Sequence, residues 1–248
     1  MTKPPPDTPL LIGTAGWTLP RDEAAAFPGE GTHLQRYAAR LTAAEINSSF
    51  YRPHRASTYG RWASSVPNGF RFSVKMPKEI THSARLKEVE ELLDSFLRGV
   101  QGLGKTLGCL LIQLPPSLTF EAAVANRFFT ALRDRFPGGL VCEPRHASWL
   151  QPDAETMLTE FRVARVAADP DQPPGVGEPG GWSGIRYFRL HGSPRMYYSC
   201  YSGTELVRVS EQLTQARAQG STVWCIFDNT AQGAATRNAR ELMHLASE

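Results

Sequence analysis

FRFSVKMP (70–77), RLKEVEELLDSFLRGVQGLG (85–104) and CLLIQLPP (109–116) follow one another along the chain, and their periods decide the fold. In the first, Phe70, Phe72, Val74 and Met76 alternate with polar residues, the two-residue period of a strand. In the second, Leu86, Val89, Leu93, Phe96, Leu97 and Val100 recur at helical spacing, and Gly102 and Gly104 end the stripe. The third is an apolar run closed by Pro-Pro. A strand, a helix and a strand with short links read as a parallel pair joined by a crossover helix.

The same unit repeats on both sides. Further strands are expected at 10–17, 45–52, 140–149, 162–169, 185–192 and 222–230, and further helices at 32–41, 55–66, 120–136, 153–160, 203–220 and 231–245. Eight strands alternating with helices predict a single-domain α/β fold, a TIM-type (β/α)8 barrel over residues 10–246. A doubly wound open sheet is the alternative, but the count of eight and the lack of a Gly-rich phosphate loop favour the barrel. PDQPPGVGEPGGWSG (170–184) holds too much Pro and Gly for a helix, so the sixth helix is expected to be missing or vestigial. That loop is either a lid or plain surface. Residues 1–9, MTKPPPDTP, read as a disordered lead-in without the apolar core of a signal peptide.

Composition narrows the partners. The formal charge of +3 and the lack of a Lys/Arg run make no case for nucleic acid, and no apolar stretch is long enough to cross a bilayer. Cys109, Cys142, Cys200 and Cys225 show no CxxC spacing and read as reduced thiols of a cytoplasmic protein.

The strands end on ionisable residues, which are costly to bury unless they converge on one hydrated pocket. Parity along each strand selects the inward set: Glu45 and Asn47, Ser73 and Lys75, Gln113, Glu143 and Arg145, Asp169, and Tyr187, Arg189 and His191. Catalysis in such barrels sits at the C-terminal mouth, where these residues are expected to ring one cavity. Glu45, Glu143 and His191 suit proton transfer, and Arg145 and Arg189 suit bidentate capture of a carboxylate or phosphate. Lys75 suits either an anion anchor or a Schiff-base amine. Trp17, Tyr51 and Trp149 lie just past strand ends, as walls of the pocket or caps of the rim. The alternative for the whole set is a paired internal salt-bridge network with no ligand. His82, His146, His191, Glu45, Glu143 and Asp169 offer metal-ligand chemistry, yet no HxH or HExxH spacing occurs and the interleaved cations would repel a divalent ion. Neither a metal nor a cofactor is expected.

GTAGW (13–17), EINSSFYR (45–52), FSVKMP (72–77), ITH (80–82), LIQLPPS (111–117), CEPRHASW (142–149), FRLHG (188–192) and FDNT (227–230) resemble, in order, the signature blocks of the YecE-like family, domain of unknown function 72. The resemblance implies a TIM-type barrel and supplies no substrate. Its recurrent polar positions correspond to Glu45, Asn47, Lys75, His82, Gln113, Glu143, Arg145, His146, Arg189, His191 and Asn229. Three places depart from the pattern: Thr18-Leu19 replaces an aromatic, Pro144 stands where Phe is common, and Asp228 replaces a common Asn. The leading expectation is an enzyme that works on a small polar anion by acid/base chemistry. A nuclease or nucleic-acid-binding barrel and a non-catalytic ligand-binding protein are the competing classes.

Overall fold

The computed structural model describes residues 8–246. Ten strand segments form one sheet: β1 (Leu10–Ala15), β2 (Ala43–Ile46), β3 (Arg71–Lys75), β4 (Leu107–Gln113), β5 (Gly139–Glu143), β6 (Val163–Arg165), β7 (Ala167–Asp169), β8 (Gly180–Gly181), β9 (Ile185–Leu190) and β10 (Thr222–Phe227). Their spatial order is β7-β9-β10-β1-β2-β3-β4-β5-β6-β8. β6 and β7 are halves of one run parted at Val166, and β6 pairs with β5 while β7 pairs with β9. The ladder therefore runs almost full circle, and the α/β fold is a nearly closed, TIM-type barrel of eight parallel strand positions. Only β8 runs antiparallel, against β6.

α1 (His33–Ala38), α2 (Ala56–Ala63), α3 (Glu90–Val100), α4 (Ala122–Arg135), α5 (Pro152–Glu160), α6 (Gly203–Ala218) and α7 (Ala234–Leu245) follow every strand position except the sixth. Between β7 and β9 the described residues hold no α-helix, as the Pro/Gly content required. Segment 170–184 instead covers the outer face of the sixth position. Val176 is buried there, and the Arg165 guanidinium donates to the carbonyls of Gly175 and Glu178. These contacts tie the loop to the barrel wall.

The largest departures from the expected bounds are two strands that end early and one helix that begins late. The strand expected over 45–52 stops at Ile46, and Ser48–Phe50 form a 3-10 turn. The strand expected over 140–149 stops at Glu143, ahead of the turn Ala147–Leu150. The helix expected from residue 85 starts at Glu90, because Arg85, Leu86 and Glu88 adopt φ of 52°, 68° and 53°. Leu86 and Val89 are buried from this irregular lead, so their apolar spacing imitated a helical turn. Of the expected lead-in, residues 1–7 lie outside the described residues. At its end, Pro9 accepts a hydrogen bond from the Val223 N–H at 3.1 Å.

The alternation seen in FRFSVKMP splits the core in two. Phe70, Phe72, Val74 and Met76 join the large layer between sheet and helices, while Leu11, Ala43, Cys109, Leu111, Val141, Ala164, Tyr187, Trp224 and Ile226 fill the lumen. Trp224 stacks on Tyr187 with ring centroids 5.7 Å apart. The start of the barrel is thus apolar, and the ionisable residues gather at the other end. β1 and β2 pass so close that a Cβ on Gly13 would lie 1.9 Å from the Ala43 carbonyl oxygen. Only glycine fits there.

Candidate functional site

Arg189, near the end of β9, is fully buried at the centre of the lumen. Its Nη2 donates to Glu45 Oε1 at 2.7 Å and its Nε to Glu45 Oε2 at 3.0 Å, a bidentate pair across the barrel. Its Nη1 donates to Glu143 Oε2 at 3.1 Å, and Nη2 also lies 3.0 Å from Asp228 Oδ2. One guanidinium therefore serves three carboxylates that come from β2, β5 and the end of β10. Parity places them: Glu45 lies two residues beyond Ala43 and Glu143 two beyond Val141, both lumen residues.

A second tier closes around Glu143. Arg145 reaches its Oε1 with Nε at 2.8 Å and Nη2 at 2.6 Å, and Gln113 Nε2 donates to its Oε2 at 2.9 Å. His191 bridges two acids, with Nε2 2.9 Å from Glu143 Oε1 and Nδ1 3.0 Å from Asp228 Oδ2. An imidazole facing two carboxylates donates to both only when it carries two protons. On the lower side the Tyr187 hydroxyl lies 2.9 Å from Glu45 Oε2 and 3.0 Å from the Ser73 hydroxyl.

Burial pushes the Glu143 carboxyl up, but Arg189, Arg145 and His191 outweigh it and hold the group well below the usual carboxylate range. Asp228 behaves likewise: burial raises it, and Arg189 and His191 bring it down. The stability these pairs confer is present above the unfolded carboxylate pKa and is lost as pH falls through the depressed folded values.

Lys75 is the exception to this pairing. At 6% exposure, its ammonium makes no hydrogen bond or ion pair among the described residues. It stands 4.1 Å from the Phe50 ring centroid, a cation–π contact. Burial and then Arg189 pull its pKa down to about 8, against the opposing pull of Glu45, Glu143 and Asp228. His82 packs edge-on against the same Phe50 ring at 4.9 Å, and its Nδ1 lies 2.9 Å from the Thr81 hydroxyl. Burial, followed by Lys75, Lys78 and Arg145, lowers its pKa. Asn47 carries a buried Oδ1 with no partner. Arg145 is the most open member of the ion-pair cluster, its side chain 14% exposed against 0% for Glu143.

Several expected members lie elsewhere. Asp169 shares parity with Ala167, which packs in the outer layer, so it points away from the lumen and accepts a hydrogen bond from the Tyr201 hydroxyl at 2.5 Å. The lumen positions of this strand are Ala164 and Val166. Tyr201→Phe is expected to cost about 1–2 kcal/mol, because it also strips the Gly192 N–H of its acceptor. A urea midpoint would report the loss, with binding at the mouth unchanged.

Trp149 is buried in the outer core, its Nε1 donating to the Leu118 carbonyl at 3.0 Å, and so forms no pocket wall. Trp17 likewise packs on Trp62 and Phe72 in that layer. Tyr51 is 69% exposed and rests edge-on against Phe50. His146 spends Nδ1 on Ser148, within its own turn. Asn229 donates to the Ser199 carbonyl and Asn238 Oδ1, holding the loops after β9 and β10 together, and leaves its own Oδ1 unpartnered.

Residues outside the expected set also contribute. Asp228 is a full member of the network, and the sequence signal was its departure from the usual Asn. Phe50 is the surface on which Lys75 rests. Tyr197 stands edge-on over His191 at 5.7 Å, from a loop with no periodicity to reveal it.

Known proteins resemble this chain in sequence and in fold. The UPF0759 protein YecE of Escherichia coli strain K12 is 26% identical over 166 residues, which cover 64% of this chain and 59% of that protein. The chain thus spans less than two thirds of this relative. The UPF0759 protein YunF of Bacillus subtilis strain 168 is 23% identical, covering 95% of this chain and 94% of that protein. A DUF72 family crystal structure from Enterococcus faecalis V583 superposes with a TM-score of 0.80 at 21% identity, covering 96% of each chain. One from Thermotoga maritima MSB8 gives 0.78 at 24%, covering 97% of this chain and all of that one. At such identities the superpositions speak for the fold alone. The family model described as protein of unknown function DUF72 matches residues 11–248, and the chain belongs to that family.

Proposed function

We propose that the C-terminal mouth of the barrel is the active site of an enzyme that binds a small polar anion and moves a proton on it. The observation that carries this reading is the layering of charge. Glu45 and Glu143 are fully buried against Arg189, while Arg145 and His82 are partly exposed and Lys75 and Asp228 lie between. Cationic groups at the solvent edge of a buried, paired acid cluster attract an anion to that edge. Arg145 receives the anionic group of the substrate. His191, held between Glu143 and Asp228, takes or gives the proton.

A purely structural network is poorly matched to these residues, because ion pairs taken out of water stabilise less than apolar packing of the same volume. The nucleic-acid alternative loses two of its expected stacking surfaces, since Trp17 and Trp149 are turned into the core. Among the described residues, no three His, Cys, Asp or Glu side chains are grouped as ligands for a metal ion.

Thermal-shift titration with phosphate, malonate and small phosphorylated or carboxylated metabolites tests the reading. Excluded-solute effects raise every protein alike, so the measure is the difference between wild type and Arg145→Gln. At least one anion is expected to stabilise wild type roughly tenfold more tightly, the loss of one charged hydrogen-bonded contact. Equal responses across the whole panel would sink the proposal.

A further inference from the structure

At the ends of two neighbouring strands, the Lys75 ammonium makes no hydrogen bond or ion pair among the described residues, and the buried Asn47 Oδ1 has no partner. Lys75 ends β3, and Asn47 follows β2, which pairs with β3. One is a donor and the other an acceptor, yet neither satisfies the other, and Asn47 Oδ1 is left orphaned. Buried polar groups in folded proteins are nearly always paired, so the orphaned Asn47 Oδ1, just past the strand beside that of the uncommitted Lys75, points to a position completed by something else. All the other charged groups of the network are committed: Glu45, Glu143 and Asp228 to Arg189, and Glu143 again to Arg145 and His191.

We propose that Lys75 is an imine-forming nucleophile, and that the substrate is a small carbonyl compound carrying an anionic group and a neighbouring hydroxyl. This rests on the reading of the mouth as the active site and specifies its chemistry. The environment is the one that activates a lysine: an aromatic face instead of water on one side, and a second cation, Arg189, nearby. With a pKa of about 8, Lys75 holds roughly two orders of magnitude more free amine at neutral pH than an ordinary lysine. The substrate hydroxyl donates to Asn47 Oδ1, and the anionic group meets Arg145.

The step balances without an oxidant or reductant. The neutral amine adds to the carbonyl carbon, forming a C–N bond, and the carbonyl electron pair moves onto oxygen, which takes a proton from His191. The adduct nitrogen next gives up one proton to His191, and its freed lone pair expels that oxygen as water as the same residue returns the proton to the leaving oxygen. Ammonium plus carbonyl gives iminium plus water, with net charge conserved. The iminium draws electrons from the adjacent carbon, whose proton a carboxylate of the network can remove.

Borohydride trapping tests this. The chain is incubated separately with pyruvate, hydroxypyruvate and dihydroxyacetone phosphate, reduced, and mapped by mass spectrometry. The expected result is one reduced adduct per chain on Lys75, at least tenfold above Lys78, Lys87 or Lys105, and absent from both Lys75→Arg and Lys75→Met. Two variants are used so that one folded control is secured. Label spread evenly over the exposed lysines, or no adduct at all, would overturn the imine. If Arg145-dependent anion binding persists in that case, the mouth remains an anion site in which Lys75 is an anchor only. If neither is seen, both readings fall together.

Discussion

Arg189→Met is expected to destabilise the fold by about 3–5 kcal/mol at neutral pH, the cost of leaving buried charges without their counter-charge. Three carboxylates depend on this one guanidinium, at 2.7 Å, 3.1 Å and 3.0 Å, and two of them are wholly out of water. Arg145, His191 and Gln113 remain for Glu143, and the Tyr187 hydroxyl for Glu45, so the loss is large without being the sum of all contacts. Domain stabilities are about 5–15 kcal/mol, so the variant should sit near the edge of folding at 25 °C. The deficit also has a sign in pH. Stripped of the cation, the carboxylates gain a proton more readily in the folded state, so acidification should shrink the gap between variant and wild type. Urea midpoints at pH 7 and pH 5 measure both effects. A deficit under about 1 kcal/mol, the usual worth of an exposed ion pair, would mean that the network is far wetter than its burial implies.

Lys75→Met runs the other way. A folded pKa of about 8 against an ordinary 10.5 means that the unfolded chain holds this proton more tightly. The penalty is complete below pH 8 and is relieved as pH rises from about 8 to 10.5, the window in which the unfolded state carries the extra proton. It amounts to about 3 kcal/mol. The methionine variant should therefore be the more stable protein at pH 7, by up to that amount, with the advantage vanishing near pH 10.5. Paired denaturation curves across this range decide it, and a constant gap would show that Lys75 finds its proton no harder to keep when folded. A residue that weakens the fold and improves it when removed is what a stability–function trade-off leaves behind.

How legible the site was in the sequence depended on contrast within each strand. In FRFSVKMP one parity is wholly apolar, so Lys75 could only face the lumen, and it does. IRYFRLHG was equally plain, with Phe188 and Leu190 in the outer layer and Tyr187 and Arg189 within. The sixth run, VARVAAD, mixes Val and Ala on both parities, which gave no basis for choosing, and Asp169 went to the wrong side. Large aromatics past strand ends misled for a related reason. Trp149 is as apt to seal the layer beneath a turn as to line a pocket, and only packing against Phe120 and Leu118 distinguishes the two. Tyr197 was beyond reach, since the loop that lays it on His191 carries no period. The bidentate geometry at Arg189 was foreseen, but the anion it captures is internal: Glu45 of the same chain.

The divided sixth strand has a mechanical consequence. β6 pairs with β5 and the short β8, and β7 pairs with β9, so the cylinder has a lap joint at this position. The joint reaches the rim beside the chemistry, where the Asp169 carbonyl accepts the His191 N–H at 2.8 Å. Arg189 rides on β9, which is laddered to β10 on one side and to β7 on the other. The barrel therefore closes at its sixth position through the covalent chain at Val166, where no single strand carries the ladder from β5 across to β9.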